Sequence, residues 1–202
     1  MYSVPLSLPS PRAVHALGLG LGALAQARGL RLGLAESCTG GLASAWITAI
    51  PGSSGWFEGG VVSYSNALKM ALLQVPVAAL SRHGAVSLPV AEAMARGLCA
   101  AFSEAHLVAP SASPASPAQP PVGWATASIT GIAGPGGGSE DKPVGMVCFA
   151  WLLPEGRLSL QVCRFSGNRE AIQRQAAWWA LTGLFARLSA GPYALSRPRD
   201  PR

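Results

Sequence analysis

The sequence predicts an α/β fold built on a mixed sheet, and three observations carry that prediction. A short apolar run, Arg31-Leu32-Gly33-Leu34, passes through Ala35-Glu36-Ser37-Cys38-Thr39-Gly40-Gly41 into the glycine-free apolar run Leu42 to Thr48. That is a strand, a turn and a helix, the unit from which parallel sheets are assembled. Farther on, Trp124 to Thr130 alternates as a strand should and follows a long helical stretch. Finally, Val144 to Leu153 and Leu158 to Phe165 are joined by Pro154-Glu155-Gly156-Arg157, which reads as a hairpin and makes the sheet mixed. A length of 202 residues suits one core and hardly two.

Residues 1–10 hold two prolines and no periodicity, and read as a loose leader. Residues 11–28 form the first expected helix, with Pro11 in its first turn and Gly29 as its stop. Ala23-Leu24-Ala25 resembles a signal-peptidase site, but cleavage there would remove this helix and leave the chain starting almost on its first strand. The apolar run from Ala16 to Ala25 is too short to span a bilayer. The first strand is Arg31–Glu36, followed by the Ser37 turn and a helix to Ala49. The cluster Ile50 to Gly55 is a turn, and Gly59 to Tyr64 is a second, β-branched strand. Ser65 and Asn66 cap a short helix through Lys69 to about Leu73. A further short turn follows Pro76. Ser87 and Pro89 open a long helix to Ala105, with Met94, Leu98, Ala101 and Phe102 on one face. Residues 109–121 are a Pro/Ser/Ala insert, expected as a flexible surface loop. A last helix follows Gly167-Asn168 with Ala177, Leu181, Leu184 and Leu188 on one stripe, and residues 191–202 read as a frayed tail. The domain is thus expected over residues 11–190.

Half of the residues are apolar and 12% are charged, which places the chain among globular proteins. The formal charge of +6 comes from scattered arginines, and scattered charge makes a poor phosphate track, so no nucleic-acid partner is expected. Cys38, Cys99, Cys148 and Cys163 show neither a metal spacing nor a disulfide framework, which fits a reduced, cytoplasmic setting. Of fifteen basic residues, Lys69 and Lys142 are the sole lysines. A lysine loses its proton when desolvated and an arginine does not, so these two stand out.

Three segments lie at strand ends: the Ser37 turn, Tyr64 to Lys69, and Gly131 to Lys142. The first exposes side chains and backbone N–H groups at the carboxyl edge of the sheet, where open α/β sheets bind their ligands. It suits a nucleophile with an oxyanion hole, or equally a phosphate cradle, and Cys38 competes with Ser37 as the nucleophile. A serine triad is hard to build. There is no Gly-x-Ser-x-Gly elbow, the aspartates are Asp141 and Asp200, and His15, His83 and His106 read as structural or solvated. These histidines make no metal-ligand spacing, and no metal is expected. What remains is a Ser–Lys pair, with Ser37 attacking, Lys69 taking its proton, and Tyr64 relaying that proton or orienting the lysine. Ser139-Glu140-Asp141-Lys142 also has Ser-x-x-Lys spacing, but three preceding glycines and Pro143 argue against the helical turn it needs.

Four stretches together closely resemble the CinA C-terminal domain family: Ala35 to Gly41, Gly60 to Lys69, His83 to Ser87, and Thr130 to Gly137 with Lys142-Pro143-Val144-Gly145. The resemblance runs from about residue 13 to 188. It implies a single three-layer α/β/α domain with a mixed, mainly parallel sheet, and subunits that associate into a homo-oligomer. The implied activity is hydrolysis of nicotinamide mononucleotide to nicotinate mononucleotide and ammonia, without metal or other cofactor. Ser37 falls on the family's nucleophile, Tyr64 and Lys69 on its catalytic partners. Gly40, Gly41 and Thr130 fall on ligand-contacting loops, with Thr39, Gly131, Gly134 and Gly136 beside them as expected substrate contacts, and Arg169 on the arginine that opens the last helix. Gly40 and Gly41 N–H groups are the expected oxyanion donors. The family's Gly-Asp-Arg reads Gly167-Asn168-Arg169 here, which removes a carboxylate that could hold Arg169, and the 109–121 insert lies outside the common pattern. Family members are often fused to an N-terminal nucleotide pyrophosphatase domain, for which 202 residues leave no room. A pyridine-nucleotide-binding module without catalysis is the alternative reading.

Overall fold

The structure, a computed structural model, describes residues 2–3, 8–108 and 123–190. The expected insert at 109–121 and the tail from 191 lie outside the described residues. Within the stretch read as a leader, Tyr2–Ser3 form a two-residue strand, β1. Ser10 then caps helix α1 (Pro11–Ala27) by accepting from the Ala13 N–H. Strand β2 (Leu30–Glu36) leads into α2 (Leu42–Thr48), and β3 (Phe57–Val62) into α3 (Asn66–Leu73). Helices α4 (Val77–His83) and α5 (Leu88–Val108) follow, then β4 (Gly123–Gly131), β5 (Met146–Leu152), β6 (Leu158–Arg164) and α6 (Arg169–Ser189).

The sheet order is β1-β6-β5-β4-β2-β3. β2 pairs in parallel with β3 and β4, β5 is antiparallel to both β4 and β6, and β1 is parallel to β6. Five strands therefore share one direction and β5 opposes them, a mixed, mainly parallel sheet. Several element boundaries differ from the sequence expectation by one to three residues. β3 starts two residues early, because Phe57 pairs in register with Leu32, and stops at Val62. The segment after Pro76 makes a full short helix, α4, where a turn was expected.

Helices cover both faces of the sheet. On one side, Leu32, Leu34, Ala127, Ile129, Phe149 and Trp151 meet the apolar stripes of α1, α2 and α6, including Ala177, Leu181, Leu184 and Leu188. On the other, Ala35 meets Met94, Leu98 and Leu73, while Cys148 and Ala150 meet Ala91 and Ala95. The alternation along β5 follows from its two-residue period. β4 uses small polar residues toward α5. Thr126 donates to the Ala95 carbonyl at 2.9 Å, and Ser128 to the Ala91 carbonyl at 2.6 Å. Both hydroxyls are fully buried and satisfied, so they pin α5 to the centre of the sheet without an orphaned polar group.

α5 in turn sets α3. A Cβ on Gly97 would lie 1.9 Å from the Leu73 carbonyl oxygen and 2.6 Å from its carbon. That neighbour is backbone and cannot rotate aside. Gly97→Ala is expected to lower stability by about 1–3 kcal/mol or more through overpacking, read as a lower midpoint in urea denaturation followed by circular dichroism.

Candidate active site

β2 ends where its last residue, Glu36, turns inward. The Glu36 carboxylate is fully buried. It accepts from the N–H groups of Gly41 (3.1 Å), Ala43 (3.2 Å) and Ser44 (2.8 Å), and from the Ser44 hydroxyl at 2.6 Å. Its charge thus sits on the first turn of α2 and satisfies donors that a helix start leaves unpaired. Gly41 supplies the sharp entry, with φ of 96°, a left-handed conformation that favours glycine. The intervening residue, Ser37, is held by its own N–H, which donates to the Ile129 carbonyl at 2.9 Å.

Lys69 reaches this turn from α3. Ser65 caps the helix by accepting from the Leu68 N–H, which places Lys69 one turn in, facing the sheet. Its side chain is 1% exposed. Its Nζ donates to Ser37 Oγ at 2.9 Å, to the Ser63 carbonyl at 2.7 Å and to the Tyr64 carbonyl at 3.3 Å. Among the described residues no carboxylate pairs with it, and burial pushes its pKa below the ordinary lysine value. Cys38, beside Ser37, is affected in the opposite sense. Burial raises its thiol to about 12 despite Lys69 nearby, so it stays protonated at neutral pH. The two side chains thus differ: Ser37 has the Lys69 amine within hydrogen-bond distance, and the Cys38 thiol is protonated.

Ser37, Cys38, Tyr64, Lys69, Thr130, Gly131, Gly134, Gly136 and Arg169 line one cleft of about 250 Å³ at the carboxyl edge of the sheet. Ala85, Val86, Ile132, Ala133 and Gly137 complete its walls. The sequence reading did not single out these five, although Ala85 and Val86 lie in the His83 to Ser87 motif and the others in the glycine-rich segment. Arg169 crosses the mouth, its Nη1 donating to the Gly134 carbonyl at 2.8 Å and its Nη2 to the Tyr64 hydroxyl at 2.9 Å. Thr130 closes the floor by donating to the Ala85 carbonyl at 2.9 Å.

The expectations need correction at several residues. Thr39, Gly40 and Gly41 do not line the cleft. The Gly40 N–H donates to the Ser37 carbonyl and the Gly41 N–H to Glu36, so neither is available to an oxyanion. The Tyr64 side chain is exposed and bonds Arg169; Lys69 touches the backbone carbonyl of Tyr64, so a proton relay through the phenol has no path. Asn168 caps α6 by accepting from the Ala171 N–H at 2.9 Å, and Arg169 is held without a carboxylate. In the Ser139–Lys142 segment the hydroxyl accepts from the backbone N–H of Lys142, while Lys142 Nζ donates to the His83 carbonyl; no second Ser–Lys pair forms. His15, His83 and His106 are exposed and lie away from the cleft.

The CinA C-terminal domain model matches residues 15–126 and 122–188, and these include every residue of the cleft. The chain belongs to the CinA C-terminal domain family. Among its CinA relatives, a "CinA-like protein" of Synechococcus sp. (strain CC9902) is 47% identical over 80% of this chain but 34% of its own length. The chain spans about a third of the length of such CinA-like proteins. The "Nicotinamide-nucleotide amidohydrolase PncC" of Enterobacter agglomerans is 42% identical over 85% of this chain and 93% of its own length. Among solved structures, the CinA fold recurs in a competence damage-inducible protein A of Klebsiella pneumoniae. That match has a TM-score of 0.75 at 30% identity, over 88% of this chain and 98% of that one. A competence/damage inducible protein of Agrobacterium tumefaciens has a TM-score of 0.73 at 32% identity, over 91% of this chain and 99% of that one. Among the described residues no helix is long and apolar enough to cross a membrane, and no cluster of His, Cys, Asp or Glu could hold a metal ion.

Glu36 anchors the turn that carries Ser37. Glu36→Gln places an amide against backbone N–H groups and is expected to cost about 2–4 kcal/mol, since charged hydrogen bonds are lost and buried donors left unpaired. The reading is the urea midpoint relative to the parent chain.

Proposed function

We propose that this chain is an amidase that hydrolyses the carboxamide of nicotinamide mononucleotide, giving nicotinate mononucleotide and ammonia. The observation that carries the reading is the buried Lys69 amine 2.9 Å from Ser37 Oγ. An uncharged amine has two N–H groups and one lone pair. With the Ser63 and Tyr64 carbonyls taking the two N–H groups, the lone pair faces the Ser37 hydroxyl and accepts its proton. The carbonyls therefore orient the base as well as bury it.

In this mechanism Ser37 Oγ attacks the carboxamide carbon while its proton passes to Lys69. The oxyanion is met by a backbone N–H of the turn that carries Ser37. Such a donor is worth about 3–4 kcal/mol. The Lys69 ammonium returns the proton to the amide nitrogen, the C–N bond breaks, and ammonia leaves. A water, deprotonated by the same amine, then cleaves the acyl ester and regenerates Ser37. Arg169 and the glycine-rich loop form one locus through the Arg169–Gly134 bond, so a substrate phosphate seated there meets both. The similarity to the amidohydrolase of E. agglomerans supports the choice of substrate. The non-catalytic reading drew weak support from Asn168, and that residue caps α6 by accepting from the Ala171 N–H.

Ammonia release from nicotinamide mononucleotide by the purified chain tests the reading. Ser37→Ala and Lys69→Arg are expected to remain folded and lose at least about 10³-fold in kcat/KM, whereas Cys38→Ala should retain activity. Comparable activity in the Ser37 or Lys69 variant would exclude the mechanism.

The pH profile gives a second check. Lys69 acts as a base only when uncharged, and its pKa lies below the ordinary 10.5. kcat/KM should therefore rise with pH through that lowered value and level off above it. A profile that falls across the same range would exclude an amine base.

A further inference from the structure

We infer that the cleft binds the uncharged dihydropyridine form of the mononucleotide at least as tightly as the pyridinium form, which makes the reduced nucleotide a competitive inhibitor; the inference rests on the substrate reading just given. Its ground is the character of the walls. The charge-bearing side chains that line the cleft are Arg169 and Lys69, and both are bases. Ala85, Val86, Ile132 and Ala133 supply the apolar part of the wall. The acidic groups near these segments in sequence face elsewhere. The Glu36 carboxylate is fully buried and turned onto the first turn of α2, and Glu140, Asp141 and Glu170 are exposed and outside the lining. Of the carbonyls around the cleft, those of Ser63 and Tyr64 already accept from Lys69, and that of Gly134 from Arg169.

A nucleotide bound with its carboxamide at Ser37 and its phosphate at Arg169 sets its ring against the rest of this lining. A pyridinium there gives up hydration for apolar side chains and lies in the field of a guanidinium. A dihydropyridine of nearly the same shape has no charge to desolvate. Tyr64 is the aromatic side chain of the lining, and it is exposed with its hydroxyl bonded to Arg169. A cation–π contact at an exposed ring returns about two- to fivefold in affinity. Reduction also changes the amide. The pyridinium withdraws electron density from the carboxamide carbon, whereas the dihydropyridine nitrogen feeds its lone pair through a C=C bond into the carbonyl. Ser37 Oγ then faces a poorer electrophile, and the reduced nucleotide occupies the cleft with little turnover.

Calorimetric titration of Ser37→Ala, in which neither form turns over, compares nicotinamide mononucleotide, its dihydro form and nicotinamide riboside at mildly alkaline pH, where the reduced ring is stable. The dihydro form is expected to bind with a Kd equal to or below that of the pyridinium form. The riboside, which lacks the phosphate, should bind at least about 10-fold more weakly than either, the loss of hydrogen bonds to a charged group. With the parent chain, the dihydro form should raise the KM for ammonia release from nicotinamide mononucleotide and leave kcat unchanged, the pattern of competition for one site.

A dihydro form that binds more than about fivefold more weakly than the pyridinium form overturns the inference, because the cleft would then be reading the ring charge by more than an exposed aromatic contact supplies. A riboside that binds as tightly as the nucleotides overturns it too, since the phosphate would not be the anchor that sets the ring against the apolar wall. Inhibition that lowers kcat, or ammonia release from the dihydro form as fast as from the pyridinium form, removes the inhibitor role. If the pyridinium form binds and releases ammonia while the dihydro form does not bind, the inference fails and the substrate reading stands. If neither nucleotide binds, both fail together.

Discussion

A single buried amine organises the carboxyl edge of this sheet. Among the described residues Lys69 has no carboxylate partner; its hydrogen-bond partners are a hydroxyl and two backbone carbonyls. Burying a cation among neutral acceptors is costly, and the cost falls when the group gives up its proton. The protein bears this because the amine is fixed from several directions. β3 delivers the Ser63 and Tyr64 carbonyls, Ser65 starts α3 at the right residue, and α5 holds α3 through backbone contact at Gly97. α5 is itself pinned to β4 by Thr126 and Ser128. The chain of supports runs from the sheet centre to the base.

The turn that carries Ser37 is held in a different way. Its glycines do not act as donors; their N–H groups are spent inside the turn and on Glu36. What glycine contributes at 41 is the left-handed torsion that lets α2 start immediately, with its first amides over the Glu36 carboxylate. The turn is held by its own hydrogen bonds: the Ser37 N–H donates to Ile129, the Gly40 N–H to Ser37 and the Gly41 N–H to the Glu36 carboxylate.

The order of helices and strands was legible because their patterns are strong. The stripe of α6 is the plainest case, since Ala177, Leu181, Leu184 and Leu188 recur at helical spacing and all are buried. The Ser37–Lys69 pair was legible for a chemical reason: a lysine kept in a chain that otherwise uses arginine marks a place where a removable proton matters. Other features had no local signal. Whether the Gly40 amide is free depends on where the Ser37 carbonyl points, and whether the Tyr64 phenol meets Lys69 depends on a residue more than a hundred positions away. Gln173, which donates to the Cys38 carbonyl, reads in sequence as one more polar residue on a helix. Hydrogen-bond partners across the fold are set by three-dimensional accounting, which composition and periodicity do not carry.

The reversed direction of β5 has a consequence for how such a cleft can diversify. A parallel successor to β4 would need a crossover passing behind the sheet, with its length tied to packing. Because β5 returns directly alongside β4, residues 132–145 stay at the ligand edge, outside both helical layers. Additions or deletions in that hairpin connection reshape the mouth of the cleft while the strands beneath keep their register. Variation in ligand preference among relatives has, in that connection, a place to accumulate without disturbing the core.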